Sequence, residues 1–324
     1  MLDALAHRFV AAGAVGVIAA RRHGATVETA AAGRVVLSEG AASPDVNGYF
    51  RLGSVTKPYT AALVLQRLHR EIDRPVTRWL PIGDDRITLR HLLTHRSGLH
   101  NYTDDFGDLA AVVAGRHTAW NAWDLVRPAL DRPRHFAPGA GRSYCNTGYL
   151  LLGLVIERVS GRSWAEEVTA SLVEPLGLTG THTGAVRLPA PHAHGYLTVD
   201  GRPVDVTDFD PSQAGAAGVV VSTLADVNRF FRALLAEDLL PPAALDAMRA
   251  GGLGLGRLET PDGPVYGYNG GFFGFQARSW HSADGERQLT LSATTTTASA
   301  GGLPPTEDLL PALHGRRPAD SRRG

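Results

Sequence analysis

Phe50-Arg51-Leu52-Gly53-Ser54-Val55-Thr56-Lys57-Pro58-Tyr59-Thr60 places a serine three residues before the only lysine in the chain; every other member of the 32 Lys and Arg residues is arginine. Arginine cannot lose its proton. Lysine can, when burial and neighbouring charge lower its pKa, and a neutral amine can then take a proton from a serine hydroxyl. Gly53 breaks the extended run before it, and Thr60 to Arg70 reads as an apolar helix, so Ser54 and Lys57 stack at i and i+3 on one face. Pro58 fits only in a first turn, where its missing N–H costs nothing. Ser54 then lies at the positive end of the helix dipole, which favours a developing negative charge. On a plainer view Ser54 is an N-cap and Lys57 a solvated surface residue, and the pair alone does not decide between the two.

Outward from this stretch, 324 residues with 44% hydrophobic content suit one large globular domain or two interleaved ones. The formal net charge is zero, so no basic excess argues for nucleic acid or an anionic membrane surface. Cys145 is the only cysteine, which excludes an intrachain disulfide. No run reaches transmembrane length. The apolar run Ala11 to Ala20 contains Gly13 and Gly16 and lacks a small-residue cleavage site before Arg21-Arg22, so it reads as a buried strand rather than a signal sequence. The expected compartment is the cytoplasm, with export as the alternative if a segment upstream is missing.

Local patterns predict a helix over Leu2 to Ala12, then strands at Ala14 to Ala20 and Ala25 to Ala31 around a turn at Arg22-His23-Gly24. Helices follow at Thr88 to His95, Ala119 to Leu130, Thr147 to Val159 and Ser163 to Leu172. A strand at Gly218 to Ser222 leads into a helix at Leu224 to Leu235. Further strands are expected at Gly252 to Leu258, Val265 to Gly267, Phe273 to His281 and Gln288 to Thr295, with turn signals at Asp262-Gly263 and Asp284-Gly285. A helix near Thr306 to Leu313 closes the pattern, and the basic tail from Arg316 reads as disordered. Strands at both ends with helices between imply an α/β (α+β) fold. One antiparallel sheet is built from 1–60 and 215–315, a mostly helical domain at 61–214 is inserted, and the cleft between them is the default site.

Three more stretches bear on chemistry. His91 and His95 sit at i and i+4 with His100 nearby, a spacing zinc could use, but no H-E-x-x-H pattern accompanies them and they read as histidines bonded locally. Tyr144-Cys145-Asn146 precedes a helix, where Asn146 serves either as an N-cap or, beside Tyr144, as a site residue. Tyr266-Gly267-Tyr268-Asn269-Gly270-Gly271 carries three glycines, which let a strand backbone approach something closely.

Taken together, Ser54-x-x-Lys57, Tyr144-x-Asn146 and Tyr268-Asn269-Gly270 resemble the three motifs of serine β-lactamases and penicillin-recognising peptidases, in the branch of class C β-lactamases and D-alanyl-D-alanine carboxypeptidases. The flanks Phe50 to Thr60, Ile87 to Leu99, Phe136 to Gly161, Pro175 to Leu178 and Ala216 to Leu235 are similar in the same order. The resemblance implies a β-lactamase/transpeptidase-like fold and an acyl-enzyme on Ser54, with Lys57 helping to remove its proton and Tyr144 passing a proton to the leaving group. Asn146, Tyr268, Asn269 and Gly270 would bind or orient a small ester, amide or peptide substrate, and the N–H groups of Ser54 and Gly271 would hold the oxyanion. Such a mechanism needs no metal and no organic cofactor.

Two positions depart from the family pattern. Tyr268 stands where the family usually has Lys or His, and a neutral phenol weakens the hold on a substrate carboxylate. That favours an esterase, amidase or acyl-transfer role over a carboxypeptidase or β-lactamase proper, unless an arginine from elsewhere supplies the charge. Cys145 replaces the usual serine and is expected to pack away from the cleft. A non-catalytic binding protein of the same fold is the alternative from another class.

Overall fold

The computed structural model describes residues 1–236, 239–299 and 301–315. Along the chain the strands are β1 (Gly16–His23), β2 (Thr26–Gly33), β3 (Phe50–Arg51), β4 (His182–Thr183), β5 (Tyr196–Val199), β6 (Arg202–Asp205), β7 (Val220–Ser222), β8 (Gly256–Thr260), β9 (Gly263–Phe272), β10 (Phe275–Ser282) and β11 (Arg287–Thr294). Six of them form an antiparallel sheet in the order β2-β1-β11-β10-β9-β8, which joins the N-terminal hairpin to the C-terminal strands through β1 and β11. Sheet assembly from both ends of the chain is therefore as the sequence pattern anticipates.

Side-chain alternation divides the sheet into two faces. Val17, Ala19, Leu289 and Leu291 meet the helix Leu2–Ala11 and the C-terminal turn around Leu309 and Leu313 on the outer face. Ile18, Ala20, Tyr266 and Ala277 belong to the larger inner cluster, which runs through the helices Lys57–Leu68, Asn146–Ser160 and Leu224–Leu235. Lys57–Leu68 is buried almost continuously from Lys57 to Leu65, as expected of a helix that is apolar all round. Because one core joins the sheet to the helices, we propose the boundaries 1–60 with 215–315 and 61–214 as a description of chain path, not as two separate cores. No helix among the described residues is long and apolar enough to cross a membrane.

Several elements differ from expectation. β7 pairs with β3 and β4 in a separate three-stranded sheet instead of joining the main one. The helix Pro242–Gly251 occupies an unassigned stretch, ends on Gly252 in the left-handed conformation (φ 62°), and delays the next strand to Gly256. β9 continues to Phe272, well past the predicted Gly267, and the hairpin β5–β6 and the short helix Leu109–Ala114 carried no recognised signal. The expectation for the tail from Arg316 lies outside the described residues.

The turn that carries Ser54 is gripped from three directions. Gly53–Thr56 forms a 3-10 turn that feeds directly into Lys57–Leu68, with Pro58 in the first helical turn. Leu52 N–H donates to the Val220 carbonyl, and Val220 N–H to Thr56 Oγ1, so β7 clasps the turn on one side. On the other side β9 presses against it so closely that a Cβ at Gly270 would lie 1.9 Å from the Leu52 oxygen. Gly53 is equally constrained, with φ at 50° and no room for a Cβ beside Gly271.

Arg51, 2% exposed, anchors the chain just before this turn. Its guanidinium donates to the carbonyls of Ala185, Val186, Thr207 and Phe209 at 3.0, 2.7, 2.9 and 3.1 Å. Burial lowers its pKa to about 10, against the attraction of Asp208 and Asp210. Arg51→Met leaves these carbonyls without their donor and should lower the unfolding free energy by about 3 kcal/mol. Urea titration checks this, and a loss below about 1 kcal/mol would mean that water replaces the clamp.

Candidate active site

The helix Lys57–Leu68 starts at the bottom of the cleft, so its first side chain points back toward the Ser54 turn. Lys57 is completely buried and its Nζ contacts three oxygens: Ser54 Oγ at 3.0 Å, Asn146 Oδ1 at 2.8 Å and the Ala217 carbonyl at 2.9 Å. No carboxylate is among them. Desolvation therefore holds the amine well below its ordinary pKa. The Ala217 carbonyl and Asn146 Oδ1 can only accept, so a neutral amine spends both N–H groups on them and directs its lone pair at Ser54.

Tyr144 lies beside the amine, with Lys57 Nζ 4.8 Å from its ring centroid, and its hydroxyl is 2.5 Å from Ser54 Oγ. The residue is 43% exposed, yet desolvation within the cleft raises its phenol to about 12, with the Ser54 hydrogen bond offsetting part of that rise. Asn146 opens the helix Asn146–Ser160; its backbone N–H donates to Asn101 Oδ1 at 2.8 Å and its Nδ2 to Thr103 Oγ1 at 3.3 Å. The amide orientation is thus assigned by its partners. Between these two residues Cys145 turns away, 2% exposed, with its sulfur toward the Leu99 and His100 carbonyls.

Four expected residues, Ser54, Lys57, Tyr144 and Asn146, thus meet in one hydrogen-bonded group. Gly271 lines the cavity beside Ser54, and Gly270 packs on the Ser54 turn. Tyr268 faces the same side of the sheet as Gly270, its hydroxyl 3.2 Å from His95 Nε2. Asn269 borders the recess that Tyr144 and Tyr268 also line. Strand alternation turns its side chain to the outer face, where it accepts from Trp280 Nε1 at 2.9 Å and donates to Thr306 Oγ1 at 2.7 Å. Its amide locks β9 to β10 and the C-terminal segment instead of reaching the Ser54 group.

His95 is the contributor that motif spacing did not single out for this role. It follows the short helix Leu89–Leu93 with φ at 59° and is 3% exposed. Its Nδ1 accepts from Cys145 N–H at 3.2 Å, which assigns the ring proton to Nε2 and makes Tyr268 the acceptor of that proton. Burial, with Lys57 and Arg142 adding repulsion, pushes His95 down to about 3, so it is neutral near pH 7. His91 serves its own helix: Thr88 and His91 form a reciprocal cap, and Thr88 N–H donates to His91 Nδ1 at 3.3 Å.

Two recesses flank the Ser54–Tyr144 pair. One of ≈ 350 Å³ has Phe106, Leu109, Val112, Phe272 and Phe273 in its walls beside Ser54 and Asn146. The other, of ≈ 290 Å³, lies further back along β9 and is lined by Tyr144, Tyr268 and Arg142. A serine between a desolvated amine and a protonated phenol, with strand and turn backbone beside it, can support acyl transfer.

Comparison with known proteins places this arrangement in a family. The Beta-lactamase family model matches residues 2–310. Penicillin-binding protein 4 of Amycolatopsis lactamdurans is 34% identical over 207 residues, 59% of this chain and 52% of that protein. Esterase EstB of Burkholderia gladioli is 31% identical over 299 residues, 79% of this chain and 74% of the esterase. The chain thus spans about half the length of the former relative and about three quarters of the latter. Among solved structures, a D-stereospecific amidohydrolase from Streptomyces sp. has a TM-score of 0.84 at 31% identity, covering 93% of this chain and 96% of that one. With a family match over nearly its whole length and a close structural counterpart of the same size, the chain belongs to the Beta-lactamase family.

Proposed function

We propose that the chain is a serine hydrolase that cleaves an ester or amide through a Ser54 acyl-enzyme. The observation that carries this reading is the Lys57 amine, buried without a carboxylate, with two acceptor-only partners and Ser54 Oγ as its third contact. Ser54 Oγ attacks the substrate carbonyl while Lys57 takes the hydroxyl proton. The oxyanion is held by the N–H groups of Ser54 and Gly271. Tyr144, protonated at neutral pH, gives its proton to the departing alcohol or amine and is reprotonated at the expense of Lys57. Water, or another acyl acceptor, then releases the acyl group by the same steps in reverse. Asn146 fixes Lys57 and borders the cavity, Tyr268 and Asn269 line the second recess along β9, and Gly270 packs on the Ser54 turn.

The aromatic and aliphatic walls beside Ser54 favour an apolar or aromatic acyl group. EstB and the Streptomyces enzyme carry the names esterase and D-stereospecific amidohydrolase, which supports ester and amide bonds as the substrate class. Incubation with a fluorophosphonate probe should add one label per wild-type chain and none to Ser54→Ala, read by intact mass. Absence of label on both would favour a non-catalytic binding protein.

Lys57→Arg keeps the charge but removes the base, so kcat/KM on an aryl ester should fall about 10³-fold or more, nearly as far as for Lys57→Ala. Near-wild-type activity of the arginine variant would overturn the role of Lys57.

The lowered pKa of Lys57 also links stability to pH. Between that lowered value and the ordinary 10.5 the unfolded chain binds a proton that the native chain does not, so this group makes stability rise with pH across the interval. The advantage of wild type over Lys57→Met should therefore grow from pH 7 to pH 10, by at most about 1.4 kcal/mol per unit. Urea unfolding of both proteins at several pH values measures it. A difference that is flat or shrinks would show the native amine to be charged.

A further inference from the structure

The helix Leu224–Leu235 packs over β10, β11 and β1 and leaves the edge strand β2 largely uncovered, so that a trough of ≈ 470 Å³ opens between helix and strand. It shares no lining residue with the two recesses beside Ser54. Strand register sets its sheet side: Arg22 lies between Val27 on β2 and Gln288 on β11, and Ala20 between Thr29 and Thr290. From the helix, Ala225, Asn228, Arg229 and Arg232 follow the spacing of one face.

Every charged residue in the lining is an arginine, and no Asp or Glu is among them. Arg22 donates to Gln288 Oε1 at 3.4 Å and Arg229 to the Gly177 carbonyl at 3.1 Å; among the described residues neither has a carboxylate within ion-pair distance. Arg232 is paired at the rim with Glu286, 3.1 Å away. Glu28 on β2 faces the opposite side of the sheet, where it pairs with Arg21. At the floor, Asn228 is 6% exposed: its Oδ1 accepts from Thr290 Oγ1 at 2.7 Å, and its Nδ2 has no partner among the described residues. A buried N–H without an acceptor is costly, so this amide favours a ligand that can only accept.

We infer that this trough binds a small oxyanion of two or more charges, a phosphate ester or a polycarboxylate, with Arg22, Arg229 and Arg232 on its oxygens and the Asn228 amide donating from the floor. Guanidinium forks stay charged and match phosphate and carboxylate oxygens with paired N–H donors. Val27, 58% exposed, and Val46 stand beside them, so the anionic group can carry an apolar body. The chain as a whole has a formal net charge of zero, so the positive charge is local to the trough and suits a small ligand, not a nucleic acid or an anionic membrane. Binding here does not depend on the Ser54 acyl-enzyme.

Titration calorimetry of the full chain with sodium pyrophosphate and, separately, sodium citrate at one fixed low ionic strength tests this. Saturable one-to-one binding of at least one of the two anions is expected, and sodium chloride should weaken it. Arg22→Met and Arg229→Met should each raise Kd about tenfold or more, the size of one charge-assisted hydrogen bond. Asn228→Asp keeps an oxygen for Thr290 but puts a negative charge where the Nδ2 donor stood, and should weaken binding at least as much. Arg257→Met removes an arginine on β8, outside the trough, and should leave Kd unchanged. Tighter binding of pyrophosphate assigns the phosphate class and tighter binding of citrate the polycarboxylate class, and both support the site. No saturable binding of either anion up to about 10 mM, or an equal loss in Arg257→Met and Arg22→Met, overturns it.

Discussion

Burial of a lone amine among oxygens that carry no formal charge is the constraint on which the cleft depends. A cation at Lys57 would need a counter-ion, and its three contacts are a hydroxyl, an amide oxygen and a backbone carbonyl. Each comes from a different part of the chain, so the amine stays in place only while three segments converge. The Ser54 turn, the start of Asn146–Ser160 and the loop before β7 are all held where they must be by contacts outside the cleft: β7 on Thr56, Asn101 on Asn146, and the Thr60 hydroxyl on the Ala216 carbonyl.

The same convergence explains the glycines. A side chain at Gly53, Gly270 or Gly218 would meet backbone or a neighbouring side chain as strand, turn and loop close on one another. Arg51 performs a matching task on the far side of the turn, drawing in carbonyls from 185–186 and 207–209 that would otherwise need water. Rigidity at Ser54 is thus distributed over contacts none of which touches a reacting atom.

Much of this was legible from the residues, for physical reasons that can be named. A single lysine in a chain rich in arginine marks a position where proton loss matters, and Ser54, Lys57, Tyr144 and Asn146 do meet. Strand and helix periodicity revealed the two-ended sheet because its faces alternate cleanly between the outer and inner clusters. β9 was cut short in the sequence reading because glycine lacks strand propensity, although close packing is what its glycines serve. Strand alternation sets Asn269 opposite to Tyr268, which is why its amide bonds to Trp280 and Thr306. His95 was weighed as a metal ligand, and its pairing with Tyr268 joins residues 173 apart, which no local pattern encodes.

The short helix Leu109–Ala114 holds a different position in this economy. Leu109 and Val112 form part of the wall of the acyl cavity, yet none of the six residues is buried, and the Asp108 side chain caps the first turn by accepting from Ala111 N–H. Leu109, Val112 and Val113 pack against the small buried cluster of Leu197, Val206, Phe209 and Phe272, which is separate from the main core. Exchanging these side chains for larger or smaller ones therefore reshapes the cavity wall and reaches that small cluster while leaving the main core in place. The part of the chain that shapes the space for the acyl group is thus distinct from the parts that hold the amine and the serine.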